Sequence, residues 1–244
     1  MSAAGANAQS HRLEVVSHNL ANVNTTGFKP HLSVVQSRHS GAIEQGLATG
    51  GEGTVDDIGG GVSIQPTLTQ YKQGPIRQTG NKTDFALKDP GSFFSVQSGD
   101  DQLLTRAGNF LFDSQGTLVT QSGDPVLGEG GGLIRIDPRL PYEIAADGGV
   151  VQGGTRQELR VVRPRELGDL SRVGENMFQS LTPVQDVTPQ QGGIISRAVE
   201  ASAVDPTTAM MEMIEASRVY EANVRMIQHQ DSAMGQLIGR VLKS

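Results

Sequence analysis

From Ala6 the apolar positions recur in steps that alternate three and four: Ala6, Leu13, Val16, Leu20 and Val23, with Gln9 in the remaining slot. That spacing predicts a helix with a narrow, heptad-like seam and polar flanks. The seam runs straight into "NLANVNTTGFKP", residues 19–30, where Asn24, Thr25, Thr26 and Gly27 end it. Gly27 is expected at positive φ just past the helix end, and Pro30 biases Lys29 toward extended backbone. Residues 40–62, "SGAIEQGLATGGEGTVDDIGGGV", are glycine-dense and without period, and read as an extended or mobile connector.

Beyond residue 62 the pattern changes to short alternating runs. Between residues 84 and 128, apolar runs of four to six residues are separated by Gly, Asp, Ser and Asn clusters. Strands are predicted at 93–96, 103–105, 110–112 and 117–119, with "SGDD" and "DSQG" as hairpin turns. Further strands are predicted near 133–136, 143–144, 150–151 and 159–162, out to about Phe178. Most aromatic residues fall here, which places the main core in this region.

The C-terminus returns to helix. Asp205 followed by Pro206 supplies a side-chain acceptor at the N-cap and proline at the first helical position. Nothing breaks the helix strongly before Val241, a run of roughly 55 Å. Its seam reads Met210, Met213, Ser217, Tyr220, Val224, Ile227, Asp231, Met234, Ile238 and Val241, widened by Met211, Ile214, Met226 and Leu237. The expected class is therefore α+β, with N- and C-terminal coiled-coil-like helices flanking a mainly antiparallel β domain. The expected segments are a first helix at 1–27, a Gly-rich connector at 28–78, a β domain at 79–190, an extended return at 191–204 and a final helix at 205–244. The two helices could close on each other within one chain. Their unequal lengths and the wide second stripe favour packing between molecules.

Composition sharpens this picture. Only 36% of the 244 residues are hydrophobic and 4% aromatic, with no tryptophan, a thin supply for one core of this length. The 31 glycines and 11 prolines suit turns and extended stretches. A modest core with elements that pack on something else is the expectation. The net charge of −6 is spread along the chain with no basic stripe, which argues against a nucleic-acid partner. With no cysteine there is no thiolate metal site, thiol catalysis or disulfide. No run of about 18 apolar residues occurs, so no direct membrane insertion by a helix is expected. "MSAAGANAQSHRLEVV" lacks the basic and apolar regions of a secretory signal, so any export is expected to leave it uncleaved.

Catalytic patterns are weak. His11, Glu14 and His18 share a helix face, but no fourth ligand is suggested, and exposed His and Glu on a helix are ordinary. "GEGGG", residues 128–132, has no following Lys-Ser or Lys-Thr and reads as a turn. No G-x-S-x-G elbow is present. Asp56-Asp57 and Asp100-Asp101 fall in turn-like segments, and "NTT" at Asn24 and "NKT" at Asn81 match a glycosylation sequon. The methionines at 210, 211, 213, 226 and 234 read as core packing at or beside the seam. No catalytic residue, metal or cofactor is expected, and the chain does not read as an enzyme.

"SHNLANVNTTGFK", residues 17–29, resembles the N-terminal signature of the bacterial flagellar rod and hook proteins, carried here by Asn19, Leu20, Ala21, Asn22, Thr26, Gly27, Phe28 and Lys29. Three further segments are similar to that family in the same order: "TGNKTDFALKDPGSFFSV", "LTRAGNFLFDSQGTLVTQSGDPVLG" and "VEASAVDPTTAMMEMIEASRVYEANVRMIQHQD". The resemblance implies a structural subunit whose terminal helices pack into the inner tube of a helical rod. It implies that the polar turn lets the chain leave that tube. The length and single small β domain argue against the hook protein, and the filament-cap and junction proteins lack this arrangement. "GDPVLGEGGGLIRIDP" resembles the proximal-rod member more than the distal. Family members carry several more apolar residues before "MSAAGANAQ", which implies a shorter first helix or a start further upstream. The partners implied are further copies of the chain, other rod proteins including the hook-side distal rod, and the flagellar export apparatus. The implied location is the periplasmic rod of the basal body. Ala6, Leu13, Val16, Leu20, Val23, Met210, Met213, Tyr220, Val224, Ile227, Met234 and Ile238 are the expected assembly surface. Lacking partners, the helices are expected to be largely disordered in the free monomer.

Overall fold

The computed structural model describes residues 2–38, 60–174, 176–188 and 193–241. The connector expected at 40–62 lies almost wholly outside the described residues. Within them the protein is α+β, and its strand pairs are antiparallel. The chain forms two compact units, one of residues 1–21, 31–70 and 205–244, the other of residues 22–30 and 71–204.

In the first unit, α1 (Ser2–Ala21) and a second helix, α2 (Pro206–Val241), pack against each other. The cap of α2 matches its sequence signal. Asp205 Oδ1 accepts the Thr208 N–H at 3.0 Å, and the Asp205 carbonyl accepts the Ala209 N–H at 3.0 Å. Asn223 lies against Gly5, and Arg12 approaches Glu215 at 3.7 Å. Seven residues along α1 thus answer eight along α2 in the opposite direction, an antiparallel register. Among the described residues, four strands complete the unit: β1 (His31–Leu32), β2 (Val35–Arg38), β3 (Gly61–Ile64) and β4 (Leu68–Thr69). Leu32 pairs with Leu68 and Val35 with Ile64. Both β1 and β3 pack on α1, so that helix is covered on more than one side. This explains why Ala8 and Val15, off the three-four seam, are buried with Ala6 and Val16.

Helix α1 stops at Ala21, short of the expected 27, and Val23 therefore lies in a turn. The cause is local competition for backbone groups. Asn22 accepts the Thr25 N–H on its carbonyl and the Thr25 hydroxyl on Oδ1, both at 3.1 Å, which diverts the chain from helix.

The second unit holds fifteen short strands among the described residues. They are β5 (Ile76–Gln78), β6 (Phe85–Leu87), β7 (Phe93–Ser98), β8 (Asp101–Thr105), β9 (Leu111–Phe112), β10 (Leu118–Val119), β11 (Glu143–Ile144), β12 (Val150–Gln152), β13 (Thr155–Gln157), β14 (Val161–Arg163), β15 (Leu170–Gly174), β16 (Met177–Ser180), β17 (Gln185–Val187), β18 (Ile194–Ser196) and β19 (Ala198–Glu200). Its main sheet has the order β15-β16-β8-β7-β14-β17. Adjacent residues serve opposite faces. Phe94, Leu103, Val161 and Met177 enter one cluster, while Phe93, Leu104, Val162 and Phe178 enter the other. The sheet is thus buried on both sides, which accounts for apolar doublets where strict alternation would expose every second residue. The stretch 28–78, read as connector, carries β1 to β5. The return 191–204 carries β18 and β19, which pair with β6 and β5.

Candidate functional site

In the second unit the most unusual chemistry is a buried charge cluster. Lys29 is 0% exposed, Arg106 1% and Glu200 1%. Lys29 Nζ donates to Glu200 Oε1 at 2.6 Å and to the Lys72 carbonyl at 2.7 Å. Arg106 Nη1 donates to Glu200 Oε2 at 3.1 Å, and its Nη2 to the Asp89 carbonyl at 2.6 Å. The Gly74 N–H adds a bond to Glu200 Oε1 at 2.9 Å. Burial pushes the Lys29 ammonium below its ordinary pKa against the opposing pull of Glu200, with Arg106 adding to the lowering. Burial likewise lowers Arg106 while Glu200 and Asp89 oppose it. Two cations therefore share one carboxylate out of contact with water.

The chain reaches this cluster through the motif residues. Gly27 has φ +67, the left-handed backbone expected for it, although six residues beyond the helix end. A Cβ there would overlap the backbone of Arg106, so the close approach as well as the φ demands glycine. Phe28 is buried, and the Arg172 guanidinium lies 4.9 Å from its ring centre and 5.5 Å from that of Phe178. Asn176 Nδ2 donates to the Thr26 carbonyl at 2.8 Å. Asn19 serves the first unit instead. Its side chain accepts the His31 N–H and donates to the His31 carbonyl, both at 2.8 Å, and so holds β1. Leu20 is half-buried and Ala21 exposed at the end of α1.

Asp89 braces the cluster from below. Burial raises its pKa, but hydrogen bonds from Ser92 and Arg163 outweigh this and hold the carboxyl below its ordinary range. The stability this contributes is present above the ordinary carboxylate value and is lost as pH falls through the lowered one. Asp89→Asn is therefore expected to flatten the acid limb of the unfolding curve below about pH 4, measured by urea unfolding between pH 5 and 2.5.

The expected assembly residues in the first unit divide in two. Ala6 and Val16 are buried, and Leu13, Leu20, Met213, Val224 and Ile227 are half-buried. Met210, Tyr220, Met234 and Ile238 are exposed, as are Met211, Met226 and Leu237. In the single chain most of these methionines are therefore surface, not core. In the second half of α2 the apolar side chains of Met226, Met234, Leu237 and Ile238 exceed 50% exposure. Among the imidazoles weighed as ligands, His11 Nδ1 bonds the Ser33 hydroxyl at 3.0 Å, and His18 packs edge-on to His31 at 4.9 Å.

Arg106 and Glu200 stand outside the site residues that the sequence points to. A signal was present: "TRA" and "VEA" each set one charge between small or apolar neighbours in a buried context. What no local pattern carries is that these two charges meet Lys29. The segments "TTGFK", "LTRAGNF" and "VEASAVD" supply one member each.

Three family models match the chain. The family described as flagella basal body rod protein matches residues 1–29. The flagellar hook protein FlgE/F/G D1 domain matches residues 90–152, and the flagellar basal body rod FlgEFG protein C-terminal family matches residues 195–240. The chain is 35% identical to the flagellar basal-body rod protein FlgF of Caulobacter vibrioides over 224 residues, covering 89% of this chain and 86% of that one. It is 32% identical to the flagellar basal-body rod protein FlgG of Bacillus subtilis over 244 residues, covering 93% and 92%. Similarity to the flagellar hook protein FlgE of Rhizobium meliloti, 31% over 229 residues, covers 84% of this chain and 53% of that longer one.

Proposed function

The chain belongs to the flagellar basal-body rod protein family, and from that premise we propose that it is a proximal-rod subunit that polymerises through its terminal helices. It is a structural protein of the flagellar basal body and not an enzyme. The observation that carries the assembly reading is the exposed apolar stripe in the second half of α2. Met226, Met234, Leu237 and Ile238 lie exposed on a helix whose earlier turns are packed by α1. Coiled-coil-like burial of that stripe against neighbouring subunits, at roughly 25 cal/mol per Å², favours polymer over monomer. The partners are further copies, other rod proteins and the hook-side distal rod, with delivery by the flagellar export apparatus to the periplasmic rod. In the assembled rod the subunit passes torque from motor to hook.

The proximal assignment is supported by the 35% identity with the FlgF relative, against 32% with the FlgG relative, and a distal position is the neighbouring alternative. Mass spectrometry and immunogold labelling of detergent-purified hook–basal bodies test both. Label low on the rod supports the proximal position, and label just below the hook moves the chain to the distal rod. Recovery as a soluble small oligomer absent from the particle would replace rod assembly with a stalked surface module.

A point change separates assembly from folding. Met234→Asp with Ile238→Asp is expected to leave the free energy of urea unfolding of the monomer within about 0.5 kcal/mol of wild type, since both sites are exposed. The same variant is expected to abolish incorporation into purified basal bodies and swimming. Normal incorporation would move the assembly surface off this part of α2.

A further inference from the structure

Glu200 is gripped from several directions at once. Lys29 reaches Oε1 from residues 22–30, the Gly74 N–H reaches the same oxygen, and Arg106 reaches Oε2 just beyond the end of β8. Main-chain bonds run alongside these. Gly27 donates to the Glu200 carbonyl at 2.7 Å, Ala203 to the Phe28 carbonyl at 3.1 Å and Ala201 to the Pro75 carbonyl at 2.9 Å. The segments 22–30, 71–75 and 198–204 are the places where the chain enters or leaves the second unit. All of them are tied to one carboxylate or to its own strand.

We propose that Glu200 makes these boundary segments a single latch, which docks as one element and releases as one element. The reason is the imbalance of charge. If residues 198–204 withdraw alone, Lys29 and Arg106 are left facing each other without the carboxylate they share, and Asp89 remains to act on Arg106. If residues 22–30 withdraw alone, Glu200 keeps Arg106 but loses the Lys29 ammonium, and its segment loses the main-chain bonds to Gly27 and Phe28. A half-docked state is therefore less stable than either the closed or the fully released one, which is the condition for cooperative opening. The latch lies wholly within the second unit and does not depend on the rod reading. Its effect is that tension arriving at one boundary segment is shared by the others.

Amide hydrogen exchange on the full chain, read residue by residue, tests this. Ala201 is the informative reporter, because its N–H bonds Pro75 and not the 22–30 segment. Lys29→Met is expected to speed exchange at Ala201 and Ala203 at least tenfold while the β8 amides keep wild-type rates. Thr25→Ala, which loosens the turn at Asn22 without touching the charges, is expected to leave Ala201 unchanged. Acceleration in Lys29→Met confined to residues 22–30 would overturn the latch, since the segments would then open independently. Uniform acceleration extending through β8 would overturn it too, because the segments would then open only with the whole unit.

Discussion

Glu200→Gln is expected to lower the stability of the β unit by about 3–5 kcal/mol, the range for removing one partner from a buried ion pair. The change is isosteric and leaves no cavity, so the loss is electrostatic. One carboxamide oxygen can still accept from Lys29 or Gly74, but the amide nitrogen then presents donors to Arg106 Nη1, where Oε2 now accepts at 3.1 Å. Two buried cations remain with no anion between them. Lys29→Met is expected to cost less, because the Arg106–Glu200 pair survives it intact. The double variant should be more stable than Glu200→Gln alone, since it removes one of the two uncompensated charges. Urea unfolding followed by a probe in the β unit measures all three. Equal costs below about 1 kcal/mol for both single variants would mean that the cluster behaves as a solvated surface pair.

Gly27→Ala is the second large effect, and here the cause is backbone. A side chain at φ +67 costs about 1–2 kcal/mol for the left-handed conformation alone. The added Cβ would also overlap the main chain of Arg106, which no rotamer change can relieve. Gly80 supplies an internal comparison, with φ +81 but open space around its Cβ position. Gly80→Ala is therefore expected to show the conformational cost by itself. Gly27→Ala should exceed it by about 2 kcal/mol or more, within the range of severe single substitutions. Matching losses at the two glycines would remove the close approach from the account and leave only the φ.

How much of this was legible beforehand follows the range of each interaction. The Asp205-Pro206 start of α2, the "SGDD" hairpin between β7 and β8, and the strands around Phe93, Leu104 and Val150 are local in cause, and the sequence signals located them. The end of α1 falls several residues before the apolar spacing places it, because Val23 continues a pattern that Asn22 and Thr25 overrule with hydrogen bonds. Strands β1 to β5 and β18 to β19 were hidden for a different reason. Each is two to four residues long, and each is a strand only because a distant segment pairs with it. The same holds for the charge cluster. Lys29 was marked through its motif, but its burial depends on Glu200 at the far end of the chain, and no periodicity encodes that pairing.

The pairing of β5 with β19 and of β6 with β18 also sets a clock. Ile76 waits for Glu200 and Leu87 for Ile194, so a chain delivered from its N-terminus holds two strands open until nearly everything else has emerged. Loop-closure entropy delays such pairings further, since the contacts that reward them form only at the end. The β unit is on this reading a late folder. Its final step is the pairing of these last strands, which arrive after every strand of the main sheet is already present.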